Sequence, residues 1–153
     1  MAEQSSGTVR LHRVLRASPE RVYKAFVDSS ALERWLPPYG FTGKLHEIDV
    51  RVGGGYHMSF TNFGTGSSHS FRVTYTELVP GVRIRQTDQF DDPSLPEEMT
   101  VSIDFESVTC GTELSIVQER IPSAIPVELC YLGWQESLEL LARLVEPDIP
   151  DAA

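Results

Sequence analysis

The chain has 153 residues, 41% of them hydrophobic, which is the size of one domain and enough apolar material for a core. Its formal net charge of −9 argues against nucleic acid as a partner, because phosphate binding depends on clustered Lys and Arg side chains. No apolar run is long enough to span a bilayer, and the first residues lack the apolar centre of a secretory signal. We therefore expect a cytoplasmic protein without membrane insertion.

The first part of the chain predicts one strand and two short helices. Alternation in TVRLHRVL predicts a strand over residues 8–15, with either face a candidate for the core. Ser18 is the predicted N-cap of a short helix that starts with a proline. A second helix is predicted to begin at Ser30, where Ser30 and Glu33 form a capping box, and to end before Pro37.

From residue 41 to residue 120 the periodicity changes to two, which predicts six strands. Their segments are FTGKLHEIDV, YHMSFTNF, SHSFRVTYTELV, VRIRQTDQF, EMTVSIDFESV and TELSIVQER. Glycine- and proline-containing turns separate most of them, including a type II turn at Pro80-Gly81. Six successive strands joined by short turns form an antiparallel meander.

Helical periodicity returns after Pro126 and predicts a long amphipathic helix. Gly133 is unfavourable in a helix by about 1 kcal/mol relative to alanine, so we expect either that a backbone or an aromatic ring approaches it closely or that something makes use of the Trp134 ring beside it. The element order predicts an α+β fold, in which a curved antiparallel sheet of about seven strands wraps around the C-terminal helix. Residues 8–146 are expected to form one domain, with flexible tails at 1–7 and 147–153. The apolar side of the helix comprises Val127, Cys130, Trp134, Leu138, Leu141 and Val145.

Four segments of the chain resemble a known family in order and spacing. They are SPERVYKAFVDSSALERWLPP, VGGGYHMSF, FRVTYTELVPGVRIRQT and GWQESLELLARLV, and they are similar to homologues of the heat-shock-protein ATPase activator. That family belongs to the START-like (SRPBCC) helix-grip superfamily, which includes polyketide cyclases and lipid-transfer domains. The resemblance implies a mostly apolar cavity between the sheet and the last helix. The eukaryotic activator has an additional N-terminal domain, whereas only a few polar residues precede the first strand here, which argues against stimulation of a chaperone ATPase.

In each strand of the meander, alternate side chains are apolar and are expected to point inward, towards the last helix. Together with the apolar side of that helix, these inward-facing side chains form a candidate cavity wall. We expect a small hydrophobic or aromatic ligand there, held without a cofactor or a metal ion. An ordinary packed core is the alternative for each apolar member of the wall. The candidate ligand-binding residues are Trp35, Tyr56, Met58, Phe60, Phe71, Tyr75, Gln86, Asp88, Met99, Ile103, Gln118, Trp134 and Leu138.

Polar side chains continue the inward phase of two strands and are the candidate anchors for a ligand. Gln86 and Asp88 lie in one strand, and Gln118 and Arg120 lie in another. An unpartnered buried polar group costs roughly 1 to 3 kcal/mol, so convergent ones indicate a ligand, a water or each other as partner. The alternatives are that the phase leaves the core near the strand ends, or that Asp88 and Arg120 form an ion pair.

The two tryptophans are candidates for the two sides of the cavity. Trp134 lies at the centre of the apolar arc, so its ring is expected to point into the hollow of the sheet. Trp35 is expected to cap the same cavity from the side of the short helices. Core packing is the alternative for both.

Recognisable catalytic motifs are absent from the sequence. The histidines lack HExxH or paired spacing, the two cysteines lack CxxC spacing, and there is no GxSxG elbow or phosphate-binding loop. The sequence therefore favours a non-catalytic binder of a small molecule. One alternative is a cyclase, dehydratase or hydrolase that uses cavity groups such as Asp88 for acid–base chemistry. Another is a module that contacts a chaperone or a regulator through its acidic surface.

Overall fold

Seven strands form one antiparallel sheet in the computed structural model, which describes residues 7–151. Their order across the sheet is β1-β7-β6-β5-β4-β3-β2, so β2 to β7 form the predicted meander and β1 pairs with β7. The α+β architecture, with two short helices after the first strand and a long helix at the end, is confirmed. The elements are β1 Gly7–Leu15, α1 Pro19–Val27, α2 Ser29–Trp35, β2 Phe41–Asp49, β3 Gly55–Asn62, β4 Ser68–Val79, β5 Arg83–Phe90, β6 Glu98–Val108, β7 Gly111–Ile121 and α3 Val127–Val145.

The two short helices differ in how well their starts were predicted. Ser18 caps α1 as expected, since its hydroxyl accepts from the Arg21 N–H at 3.2 Å. The prediction of Ser30 as the cap of α2 is wrong, because Asp28 takes that role and accepts from the Ala31 N–H at 2.9 Å. Asp28 ends α1 in an extended conformation and caps α2 with the same residue. The two helices are therefore separated by this single residue.

Register irregularities keep the apolar side chains on one face of the sheet. Such an irregularity separates Leu45 from Glu47 in β2, and another separates Tyr75 from Glu77 in β4. Bulges of this kind add one residue, restore the inward phase and bend the strand. Rows of side chains consequently cross the sheet from strand to strand. One row runs through the partners Tyr75, Gln86, Val101, Gln118 and Val9.

The last helix is anchored mainly at one side of the sheet. Its backbone comes close to β1, α1 and α2, and it stands off from the central strands β3 to β6. Leu138, Leu141 and Val145, in its second half, are buried in the core. The Ser137 hydroxyl donates to the Leu36 carbonyl at 2.6 Å, which fixes α3 against the end of α2. The first half of α3 thus faces the sheet across a wider separation than the second half.

The chain ends were predicted as flexible tails, and part of each lies outside the described residues. These parts are residues 1–6 and 152–153. Within the described part, the Pro147 carbonyl accepts from the Arg21 guanidinium at 2.6 Å, so this residue contacts α1. None of the helices in residues 7–151 combines the length and the apolar character needed to cross a membrane.

The corner between α1 and α2 yields a direct test of the capping geometry. We expect Asp28→Ala to lower the free energy of unfolding by about 1 kcal/mol, because it removes the acceptor for the Ala31 N–H. Ser30→Ala is the matched control and should change stability by less than about 0.5 kcal/mol. Urea unfolding followed by circular dichroism measures both. A larger loss in Ser30→Ala than in Asp28→Ala would contradict the observed cap.

Candidate functional site

A cavity of about 190 Å³ lies between the first half of α3 and the concave face of the sheet. It occupies the separation that α3 leaves over the central strands. Leu129 in its wall is 63% exposed and His69 is also exposed, so the cavity reaches the surface at this end of the helix. The lining residues are Leu36, Pro38, Tyr56, Phe60, His69, Phe71, Gln86, Asp88, Phe90, Met99, Gln118, Leu129, Cys130, Gly133, Trp134 and Ser137.

Aromatic rings form a continuous wall on the sheet side of the cavity. Phe60 and Phe71 pack edge-to-face with ring centroids 5.2 Å apart, and Tyr56 meets Phe71 at 6.3 Å. His69 joins Phe60 at 5.7 Å and Phe90 at 6.1 Å. Edge-to-face pairs of this kind fix ring orientation as well as burying apolar surface. The wall is therefore both apolar and well defined in shape.

Gln118 on β7 connects the sheet to α3 through hydrogen bonds beside the cavity. Its amide oxygen accepts from the Trp134 indole N–H at 2.7 Å and from the Cys130 thiol at 3.3 Å. Because an indole can only donate, this bond fixes which way the amide faces. The amide nitrogen is left beside the Met99 sulfur at 3.2 Å, and a thioether is a weak acceptor. Gln118 therefore orients Trp134 and keeps donor capacity of its own.

Asp88 is the one carboxylate among the described residues that line the cavity. One of its carboxyl oxygens accepts from the Gln86 amide at 2.9 Å, and Gln86 also hydrogen-bonds the Tyr56 phenol. Burial raises the pKa of Asp88 to about 7, although the Gln86 bond opposes the shift. Burial and the Asp88 charge together raise the pKa of Cys130 to about 11. The thiol is therefore neutral and weakly nucleophilic at physiological pH.

The ion pair between Asp88 and Arg120 that the sequence allowed does not form. Arg120 is exposed and has a positive φ of 65°, so its side chain leaves the inward-facing row one residue before β7 ends at the buried Ile121. None of the ion pairs within residues 7–151 includes Asp88. The inward phase thus holds as far as Gln118 and is lost before Arg120, so the interpretation of Arg120 as a ligand anchor is wrong.

Gly133 lies in the cavity wall with open space in front of it. Apart from its two chain neighbours and the backbone of the helix itself, a Cβ atom placed there would meet no atom within 4 Å. The expectation that a backbone or a ring approaches this glycine is therefore wrong. The missing side chain instead adds to the free volume beside Trp134.

The structure brings together many of the predicted cavity residues and excludes others. Those that line the cavity are Tyr56, Phe60, Phe71, Gln86, Asp88, Met99, Gln118 and Trp134. Trp35 does not cap it, because its indole donates to the Ala25 carbonyl at 2.8 Å and its ring packs 4.7 Å from Phe26. The other predicted residues outside the lining are fully or almost fully buried in the core: Met58, Tyr75, Ile103 and Leu138.

Several lining residues were not among the candidate ligand-binding residues. His69 and Phe90 continue the inward phase of their strands through Phe71 and Asp88, so alternation could have indicated them. Cys130 and Gly133 lie on the apolar side of α3 and carried a similar signal. No sequence pattern marks the remaining members, which reach the cavity through the tertiary fold: Leu36, Pro38, Leu129 and Ser137.

Metal binding has no visible site in the described part of the chain. Residues 7–151 contain no group of three or more His, Cys, Asp or Glu side chains placed to hold a metal ion. The chemistry that the cavity offers is apolar contact, two amide groups, the His69 imidazole, the Tyr56 phenol and one carboxyl group with a raised pKa.

A sheet that grips a C-terminal helix, with a cavity between them, defines a START-like protein. The chain belongs to the family described as Activator of Hsp90 ATPase homolog 1-like protein, whose model matches residues 16–146. It is 60% identical to protein CV1439 from Chromobacterium violaceum, with a TM-score of 0.91 and coverage of 92% of this chain and 98% of that one. No curated protein matches the chain.

Solved structures of more distant proteins share the fold. An AHSA1-like protein from Aeromonas hydrophila is 20% identical, with a TM-score of 0.73 and 92% of each chain covered. A protein from Arthrobacter aurescens is 18% identical, with a TM-score of 0.81 and coverage of 92% and 87%. At these identities the similarity concerns the architecture alone.

The raised pKa of Asp88 predicts a pH dependence of stability. An unfolded aspartate titrates near pH 3.9, so between about pH 4 and pH 7 the folded protein binds more protons than the unfolded chain. Asp88 therefore lowers the free energy of unfolding as pH rises through this window, by at most about 1.4 kcal/mol per pH unit. Asp88→Asn should remove this contribution and be more stable than the wild type at pH 8, but not at pH 4.

Thermal unfolding at pH 4 to 8 measures this difference. Glu106→Gln, which removes an exposed carboxylate from β6, is the matched control and should follow the wild-type profile. Parallel profiles for the wild type and Asp88→Asn across the whole range would show that Asp88 titrates normally.

Proposed function

We propose that this protein binds a small hydrophobic or aromatic molecule in the cavity between the sheet and α3. The supporting observation is a free volume of about 190 Å³ with aromatic walls, beside a helix position that has no side chain. An engineered apolar cavity of roughly 150 Å³ is known to admit benzene. The volume here therefore suits one substituted ring rather than a long lipid.

Hydrogen bonding in the wall supports a binding site rather than a packing defect. The Trp134 indole, the Ser137 hydroxyl and the Gln86 amide all have partners within the protein. Because these three groups already have partners, the wall does not need to collapse inward to satisfy them. Asp88 and the Gln118 amide nitrogen retain bonding capacity, and they would orient a polar group on the guest.

An acid–base enzyme is the second proposal, and one observation favours it. A carboxyl group with a pKa of about 7 can both give and take a proton at physiological pH. Asp88 would act there without a cofactor, on a substrate held in the same cavity. Contact with a chaperone is suggested by the name of the family alone, and no feature of residues 7–151 favours it.

Two further proposals concern the unit and its surroundings. We propose that residues 8–146 act as one domain, which the single seven-stranded sheet supports. We also propose a cytoplasmic location, which is consistent with Cys110 and Cys130 both being free thiols.

Filling the space in front of Gly133 tests the binding proposal. The probe is 2-phenylethanol, whose binding should change the fluorescence of Trp134 in the wild type with a dissociation constant of roughly millimolar or tighter. Gly133→Leu should abolish the change, because the new side chain takes up the free volume. Gly133→Ala is the matched control, since it adds one methyl group and should retain binding.

The result that would contradict the proposal is a wild-type protein that does not respond to the probe, or a Gly133→Leu variant that responds equally. Trp134→Phe separates the signal of the cavity from that of the buried Trp35. Native mass spectrometry of protein purified from its host, before and after solvent extraction, then reports whether a natural guest is present. Turnover of that guest, lost in Asp88→Asn, would favour the enzyme.

A further inference from the structure

The charge of the cavity wall is unusual for an apolar site. Asp88 contributes a carboxyl group, whereas no lysine or arginine occurs among the described residues that line the cavity. Gln86 donates to one carboxyl oxygen, and no hydrogen bond within residues 7–151 is donated to the other. Asp88 is partly exposed and lines the cavity, so this oxygen is open to a partner there. When it is ionised, Asp88 is therefore a negative charge without a cation.

The groups that face Asp88 from neighbouring elements leave this charge uncompensated. Tyr56 on β3 and Tyr75 on β4 have raised pKa values, chiefly through burial, and stay neutral at pH 7. Cys130 on α3 is neutral for the same reason. His69 is the one basic side chain among the described residues that line the cavity, and partial burial of its ring lowers its pKa, so it is neutral at pH 8.

Aromatic rings surround the space that this carboxyl group faces. Tyr56, Phe60, Phe71 and Phe90 lie on the sheet side, and Trp134 lies on the helix side. The electron-rich faces of such rings attract a cation, and aromatic cages recognise alkylated ammonium groups in this way. A buried carboxylate beside the rings adds a charge-assisted hydrogen bond to the same attraction. An organic anion would instead meet the like charge of Asp88 in a largely apolar cavity.

We propose that the guest is a small organic cation, a protonated amine on a single ring or a hydrocarbon of similar size. Its ammonium group donates to the free carboxyl oxygen of Asp88, and its hydrocarbon part lies against the rings beside Gly133. This inference rests on the proposed function, because it names the chemical class of ligand for the same cavity. It requires Asp88 to be ionised in the complex, so a proton on Asp88 competes with the ligand.

Three compounds that differ in charge test the inference. They are 2-phenylethylammonium, 2-phenylethanol and 3-phenylpropanoate, compared by calorimetry at pH 8 and pH 6. At pH 8 the ammonium compound should bind at least tenfold more tightly than the alcohol, and the carboxylate should bind most weakly. At pH 6 the affinity for the ammonium compound should fall by up to about tenfold, because Asp88, with a pKa of about 7, is then mostly protonated.

Two variants that each remove one negative charge distinguish the effect of Asp88 on binding from the effect of the overall charge of −9. Asp88→Asn should abolish the preference for the ammonium compound while retaining binding of the alcohol. Glu98→Gln, an exposed position on the same sheet, should leave the preference unchanged. A preference that survives in Asp88→Asn, or that falls equally in Glu98→Gln, would overturn the inference.

The remaining outcomes distinguish this inference from the proposed function. If the alcohol binds at least as tightly as the ammonium compound at pH 8, the inference is wrong and the binding function stands. If none of the three compounds binds, both are wrong. Tighter binding of the ammonium compound at pH 6 than at pH 8 would also overturn the inference, because competition with the proton predicts the opposite.

Discussion

The cavity depends on how α3 packs against the rest of the fold. The second half of the helix is buried by Leu138, Leu141 and Val145, and its backbone lies close to β1 and to the two short helices. Such packing determines where the axis of the helix runs. The first half is consequently held away from the central strands, and it is connected to the sheet through the Trp134–Gln118 bond. A space remains there because the helix is anchored elsewhere, and not because core residues are missing.

The polar groups around this space have unequal roles. Gln118 and Ser137 satisfy groups on neighbouring elements and hold the wall in position. Asp88 is different, because its environment opposes its ionisation and provides no opposite charge. A carboxylate that lowers stability at neutral pH and lies at the edge of a cavity is typical of a functional position. The cation proposed above would relieve this cost by pairing with the carboxylate.

Alternation and capping signals in the sequence were sufficient to predict the architecture. Every predicted strand segment overlaps an observed strand, since one face of each strand is apolar and turn residues separate them. The sequence was less informative about which inward-facing residues line the cavity and which are packed in the core. Met58 and Phe71 are both inward and register partners, yet Phe71 lines the cavity and Met58 does not. That distinction depends on the position of α3 above the sheet, which periodicity does not contain.

Gly133 and Arg120 are two further residues whose environment the sequence pattern did not predict. A glycine in a helix indicates that a side chain is disfavoured or unnecessary at that position. The same glycine is compatible with a neighbouring group packed against it and with open space in front of it, and the structure has open space. Arg120 is exposed where alternation places it inward, and its positive φ is a backbone feature that alternation does not predict. A crystal structure of the protein under xenon pressure tests the central claim most directly. We predict a xenon atom between Trp134, Phe71 and Gly133, without movement of α3. Absence of xenon, with Trp134 or the aromatic wall closed over this space, would contradict an open cavity.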